Sequence, residues 1–121
     1  MSFPRAHEAL SAARVLLESR FAADAVSRAY YATYHAASAA VESVGGEPKS
    51  HAGLLRLFGE LVVVPGLLPS EFGVILHRLQ AARARADYVG EIGSDAAESA
   101  VRDATRFVEA VENWVNTSGE Q

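Results

Sequence analysis

Two side chains suited to phosphate chemistry, Arg28 and His35, lie in the segment RAYYATYHAA, residues 28–37. Imidazole titrates near neutral pH and can act as a general acid or base, and a guanidinium can hold a phosphate and stabilise transition-state charge. Together such groups can act on a phosphate ester, because a hydroxyl attacks the phosphorus once a base removes its proton and an acid protonates the leaving oxygen. The pair therefore indicates phosphate binding and proton transfer, provided that the fold places both residues in one site.

The elements that would position these residues are helical. Alanine is abundant, and glycines and prolines divide the chain into five segments. We expect helices over about 4–18, 22–44, 50–63, 69–88 and from Ser94 or Asp95 to about 115. The end of the third segment, LVVVPG, is the one stretch that could be strand-like. Since the connections are short, neighbouring helices should run antiparallel, and the sequence predicts an all-α, up-and-down bundle of five helices.

The inward faces of these helices follow from helical spacing. Outside the second helix, the residues expected to face the core are Leu10, Ala13, Leu17, Leu54, Phe58, Leu61, Phe72, Leu76, Leu79, Ala97, Val101, Ala104, Val108, Val111 and Val115. In the second helix, positions about 100° apart form two stripes. The apolar stripe, spaced like a buried seam, contains Val26, Tyr30, Thr33, Ala37, Ala40 and Val44. The opposite, polar stripe contains Asp24, Arg28, Tyr31, His35, Ser38 and Glu42.

The polar stripe of the second helix has two interpretations. The simpler one is a solvated face with an Asp24–Arg28 ion pair at i,i+4. The other is a covered binding face, and one observation for it is that a solvated face rarely uses tyrosine and histidine in place of glutamate and lysine. Alanines at 25, 29, 32, 36 and 39 also line one flank, where small side chains would let another helix approach closely. Tyr34, which is near both Arg28 and His35, is a further candidate binding residue.

Composition narrows the classes of protein and site. The chain has 121 residues, no cysteine and a formal net charge of −4. We expect a single domain over 1–121, ordered over about 4–115. The lack of cysteine excludes disulfides and thiol catalysis and fits a cytoplasmic protein. No signal peptide or membrane span is expected.

Metal and nucleic-acid sites are constrained in the same way. The four histidines lie in separate segments without a metal-binding spacing, so no metal and no cofactor are expected. The net negative charge argues against broad, nonspecific nucleic-acid binding, which requires many cationic contacts.

Two further groups are candidates for the site. His51 could be catalytic or could cap the third helix, and its position at the start of that helix favours the structural role. The fourth segment carries the most basic cluster, which consists of His77, Arg78, Arg83 and Arg85. This cluster could receive phosphates, or it could be a solvated face with cations near a helix C-terminus.

The segment ADAVSRAYYATYHAASAAVES, residues 23–43, resembles the second helix of the HEPN domain, the higher-eukaryote and prokaryote nucleotide-binding domain. KSHAGLLRLFGE (49–60), GLLPSEFGVIL (66–76) and RARADY (83–88) match the same small bacterial and archaeal branch in order and spacing. The resemblance covers roughly residues 4–115. Within it, Asp87 and Tyr88 look like the family's closing motif, which we interpret as a hydrogen-bonded buckle between helices that engages Arg83.

The resemblance implies a five-helix bundle that forms a homodimer and works with a minimal nucleotidyltransferase, often as the toxin of a toxin–antitoxin pair. Active members carry Arg-x4–6-His and are metal-independent endoribonucleases. Arg28 and His35 fit that motif with six intervening residues, and Asp24 and Tyr31 would orient them. One chain offers one histidine on this face, so a twofold dimer would be needed to bring two Arg28–His35 pairs to one cleft.

The chain departs from some of the related toxins at position 37. Those toxins have a tyrosine two residues after the histidine, and the nucleotidyltransferase adenylylates it, whereas this chain has Ala37 there. That form of silencing is therefore not expected.

One alternative function is a non-catalytic module that docks a nucleotidyltransferase or binds a nucleotide. The other is a structural dimer whose polar stripe provides buried hydrogen bonds.

Overall fold

The computed structural model describes residues 3–118, and over that range it contains helices and short connections without a strand. The five α-helices are α1 (Phe3–Glu18), α2 (Ala22–Ser43), α3 (His51–Phe58), α4 (Ser70–Tyr88) and α5 (Ser94–Ser118). The predicted all-α, five-helix architecture is confirmed, and each helix starts within about one residue of its expected position. None of these helices combines the length and the apolar character that crossing a bilayer would need.

The third helix departs from the prediction at its C-terminal end. α3 stops as an α-helix at Phe58 and continues as a π-helical turn, Gly59–Val63. The Val64 amide donates to the Gly59 carbonyl at 2.8 Å, the i→i+5 bond of that turn. Because a π-helical turn contains more residues, the fully buried position after Phe58 is Val62, and the expected inward residue Leu61 is only half-buried.

The ends of α2 and α3 are set by specific backbone contacts. The amides of Gly45 and Gly46 donate back to the carbonyls of Glu42 and Val41, and Gly45 has a φ of +89°, which glycine adopts without strain. A Cβ at Gly46 would collide with the Val41 side chain. α3 is capped by Ser50, whose Oγ accepts from the Gly53 amide at 2.9 Å.

Side-chain contacts show that three of the packed helix pairs run antiparallel. Between α1 and α5, His7 pairs with Glu112, and Arg14 donates to Thr105. Residue numbers therefore increase along α1 in the direction in which they decrease along α5. The same reversal relates α4 and α5, where Glu71 pairs with Arg106 and Arg78 with Asp103. α2 and α4 are antiparallel as well. One hydrogen bond joins Ser27 to Asp87 and another joins Tyr31 to Arg83.

The core is built around α2, which packs against the other four helices. The predicted apolar stripe is buried from Val26 to Ala40, and Val44 at its end is 38% exposed. The flanking alanines are completely buried in the chain's own core: Ala25, Ala29, Ala32, Ala36 and Ala39. Small side chains therefore allow close approach, as expected, and the helices that approach belong to the same chain. The polar stripe remains at the surface, beside α1.

Candidate functional site

A cleft of about 480 Å³ lies between α1 and α2, along the polar stripe. Its walls are formed by Arg5, Glu8, Ala9 and Ala12 of α1 and by Arg28, Tyr31, Tyr34 and His35 of α2. The helical phase predicted from sequence thus brings Arg28 and His35 to one site with both tyrosines. We refer to it below as the Arg28–His35 cleft.

Arg28 is exposed in this cleft, and its guanidinium lies over the Tyr31 ring at 4.6 Å from the ring centroid. That position is a cation–π contact, which orients the charge without neutralising it. Asp24, one turn earlier, is exposed, and no ion pair joins it to Arg28 among the described residues. The solvated-face interpretation relied on that ion pair. The Arg28 charge is therefore available to an anion in the cleft.

His35 is half-buried on the same wall, with its ring edge-on to Tyr34 at 5.5 Å between centroids. Burial lowers the pKa of His35 below its ordinary value of 6.5, and the nearby charges of Arg5 and Arg28 lower it further. The imidazole is consequently neutral at pH 7 and can accept a proton. The cleft thus combines a proton acceptor with two guanidiniums, which are the groups that chemistry on a phosphate uses.

Tyr31 is held from behind by α4. Arg83 donates to the Tyr31 hydroxyl at 3.0 Å and is paired with Asp87 at 3.1 Å. Asp87 in turn accepts from the Ser27 hydroxyl at 3.4 Å. Asp87 and Arg83 thus link α4 to α2, which is the contact expected of the buckle. Tyr88, at the end of α4, is 90% exposed.

His51 supports the tyrosines from the other side. Its Nδ1 is hydrogen-bonded to the Tyr30 hydroxyl at 3.0 Å, and its ring stacks on Tyr34 at 4.5 Å. Tyr30 is completely buried, and burial raises the pKa of its hydroxyl. His51 does not line the cleft, and the cap of α3 is the neighbouring Ser50. The structure therefore gives His51 a packing position behind Tyr34.

The remaining candidates are dispersed. Arg78 pairs with Asp103 of α5 at 2.6 Å, and Asp24 lines a separate hollow beside the α4–α5 connection. The basic cluster of α4 is therefore divided between two faces, with Arg83 supporting Tyr31 and Arg78 bound to α5. Within residues 3–118, no three histidine or carboxylate side chains are grouped as metal ligands.

Sequence reasoning missed the α1 wall of the cleft. Arg5, Glu8, Ala9 and Ala12 are spaced three and four residues apart, which places them on one face of α1. From that spacing, the sequence could have predicted that these four residues share one face of α1. The relative rotation of α1 and α2, which decides whether this face meets the polar stripe, depends on packing that the spacing does not contain.

Comparison with known proteins identifies relatives along most of the chain. A family model described as the HEPN domain matches residues 2–114. A Methanocaldococcus jannaschii protein named "putative toxin" is 37% identical over 107 residues, covering 88% of this chain and 80% of the relative. A Gloeobacter violaceus UPF0332 protein is 36% identical over 86 residues, covering 71% and 68%. An Archaeoglobus fulgidus UPF0332 protein is 35% identical over 92 residues, covering 74% and 73%.

Proposed function

Because the chain belongs to the HEPN domain family, we propose that it is the toxin of a toxin–antitoxin pair and cleaves RNA without a metal in the Arg28–His35 cleft. One observation carries the proposal: a neutral histidine and an arginine without an ion pair share one cleft wall with two tyrosines. The name of the Methanocaldococcus jannaschii relative supports a toxin role. An RNA substrate would place the activity in the cytoplasm.

The proposed reaction uses the two residues in different roles. His35, neutral at pH 7, removes the proton from a ribose 2′-hydroxyl, and that oxygen attacks the adjacent phosphorus. Arg28 binds the phosphate oxygens and stabilises the negative charge of the transition state. The bond to the 5′-oxygen breaks, and that oxygen takes a proton from an acid. The products are a 2′,3′-cyclic phosphate and a free 5′-hydroxyl.

The acid in this reaction is the reason for proposing a homodimer. Within residues 3–118, the Arg28–His35 cleft contains one histidine, since His51 lies behind Tyr34 and His7 pairs with Glu112. A twofold axis beside the cleft would bring a second His35 to the same phosphate. One His35 would then act as the base and the other, protonated, as the acid.

We also propose a minimal nucleotidyltransferase as the antitoxin-like partner, as the family membership suggests. We do not propose that this partner adenylylates the chain at the position two residues after His35. Ala37 occupies that position and is fully buried in the core. Silencing would instead require the partner to cover the Arg28–His35 cleft.

The test is cleavage of RNA by purified protein in EDTA. We expect the wild type to cleave and to leave cyclic phosphate ends. We expect His35→Ala to lose activity by about 10²–10⁴-fold, the usual contribution of a general acid or base. His77→Ala, which changes an exposed histidine on α4, is the matched control and should cleave like the wild type. Equal cleavage by wild type and His35→Ala would contradict the proposal, since it would indicate a contaminating nuclease.

A second candidate function is a non-catalytic module that binds a nucleotide. It is favoured by the presence of one histidine per cleft, because binding needs the guanidiniums and tyrosine rings and no acid. In the same assay this candidate predicts no cleavage by any variant, together with nucleotide binding that Arg28→Ala weakens.

A further inference from the structure

Two arginines from different helices face the Arg28–His35 cleft. Arg28 lies on the α2 wall and Arg5 on the α1 wall, and both act on the charge of His35. We infer that Arg5 is a second phosphate-binding residue, which holds a phosphate of the same RNA strand next to the phosphate bound by Arg28. The inference rests on the proposed function, because it assigns Arg5 a role toward the same substrate.

The first argument is that both guanidiniums lack an acidic partner. Of the eight other arginines, all within the described residues, four are paired with carboxylates within 4.0 Å, namely Arg56, Arg78, Arg83 and Arg106, and the other four are not. Arg5 and Arg28 take part in no such pair, although Glu8 and Asp24 are each about one helical turn away. Within residues 3–118, the cleft therefore holds two guanidiniums on different walls, neither of them in an ion pair, with Glu8 as its one carboxylate.

The second argument is the shape of the cleft. Ala9 and Ala12 line the α1 wall, and their small side chains leave about 480 Å³ open between the arginines. His35 lines the same cleft as both arginines. A strand that crosses from the α1 wall to the α2 wall would have one phosphate near each guanidinium.

The aromatic residues define the class of ligand. Tyr31 and Tyr34 line the cleft between the charged groups, and both are half-buried. Cationic grooves lined with aromatic side chains bind single-stranded nucleic acid, in which unstacked bases contact the rings. A duplex would keep its bases stacked and paired, so the cleft favours a single strand.

The experiment measures binding separately from cleavage. The probe is a fluorescent 2′-O-methyl hexaribonucleotide, which lacks the attacking hydroxyl, and anisotropy titrations are made at several salt concentrations. Arg5→Ala is expected to bind about tenfold more weakly. Its plot of log K against log salt should be less steep by about 0.7, the contribution of one phosphate contact in a single strand.

Two further variants make the assignment specific. Arg102→Ala removes an exposed arginine of α5 that lies outside the cleft and has no ion pair among the described residues, and it should bind like the wild type. Glu8→Gln removes the carboxylate of the cleft, and it should bind more tightly because that charge repels phosphate. Thermal melts of all variants should coincide, because Arg5, Glu8 and Arg102 are exposed.

The outcomes separate this inference from the proposed function. Absence of probe binding by the wild type, or an unchanged affinity or salt slope for Arg5→Ala, would overturn the inference. If Arg5→Ala weakens binding and reduces the slope but the wild type cleaves no RNA in EDTA, the inference stands and the nuclease proposal fails. If the wild type cleaves and Arg5→Ala binds normally, only the inference fails.

Discussion

The protonation state of His35 links the geometry of the cleft to pH. Burial, Arg5 and Arg28 all disfavour the imidazolium, so the pKa of His35 lies below 6.5 in the folded chain. The free base is therefore the resting form at neutral pH. In the unfolded chain, His35 binds a proton near its ordinary pKa of 6.5, and in the folded chain it does so only at lower pH. As the pH falls from about 6.5 through the folded-state pKa, protonation therefore favours the unfolded chain, and the free energy of unfolding decreases.

This arrangement predicts how His35 titrates when a neighbouring charge is removed. By NMR, we expect the His35 ring signal, assigned by its absence in His35→Gln, to titrate with a midpoint below 6.5. Arg5→Ala and Arg28→Ala should each raise that midpoint, because each removes a repelling charge. The acid limb of the cleavage pH profile should move in the same direction. A midpoint that both variants leave unchanged would show that neither guanidinium acts on His35.

The residues of the site differ in how far sequence alone could place them. Arg28, Tyr31 and His35 share a face because of helical phase, which spacing within one helix determines. Tyr31 is anchored by Arg83, 52 positions away in sequence. No spacing rule predicts a contact at that distance, because it depends on how α4 packs on α2. The same limitation hid Arg5, which reaches the cleft from α1.

At the scale of elements, the alanine flank of α2 determines how closely the helices pack. We expect Ala36→Leu to lower the free energy of unfolding by about 1–3 kcal/mol, because Ala36 is completely buried and extra methylene groups must displace neighbours. Ala81→Leu makes the same change at an exposed position of α4 and should stay within about 0.5 kcal/mol of the wild type. Urea denaturation measures both, and similar midpoints for the two variants would contradict close packing at Ala36.

The helix boundaries were largely predictable, because local signals encode them. The double glycine after α2 and Ser50 before α3 act through backbone contacts a few residues away. The π-helical turn at Gly59–Val63 was not predictable in this way. Its valines are compatible with either a helix or a strand. The position of this turn depends on Val62, which is completely buried in the core.

At the scale of the whole molecule, the proposed chemistry depends on assembly. In the proposed reaction His35 is the base, and within residues 3–118 the Arg28–His35 cleft of one chain has no second histidine to serve as the acid. If the acid is the His35 of a second copy, activity belongs to the dimer. A dimer that contains one His35→Ala chain then lacks either the base or the acid.

Mixing experiments can test that dependence directly. Wild type and His35→Ala, denatured together in equal amounts and refolded, should form wild-type dimers in about a quarter of cases and retain about a quarter of the activity of an all-wild-type sample at the same total concentration. Refolding the wild type with an equal amount of an unrelated protein is the control and should retain about half. A value of half for the His35→Ala mixture would show that each chain acts alone, and the acid would then have to come from within the same chain.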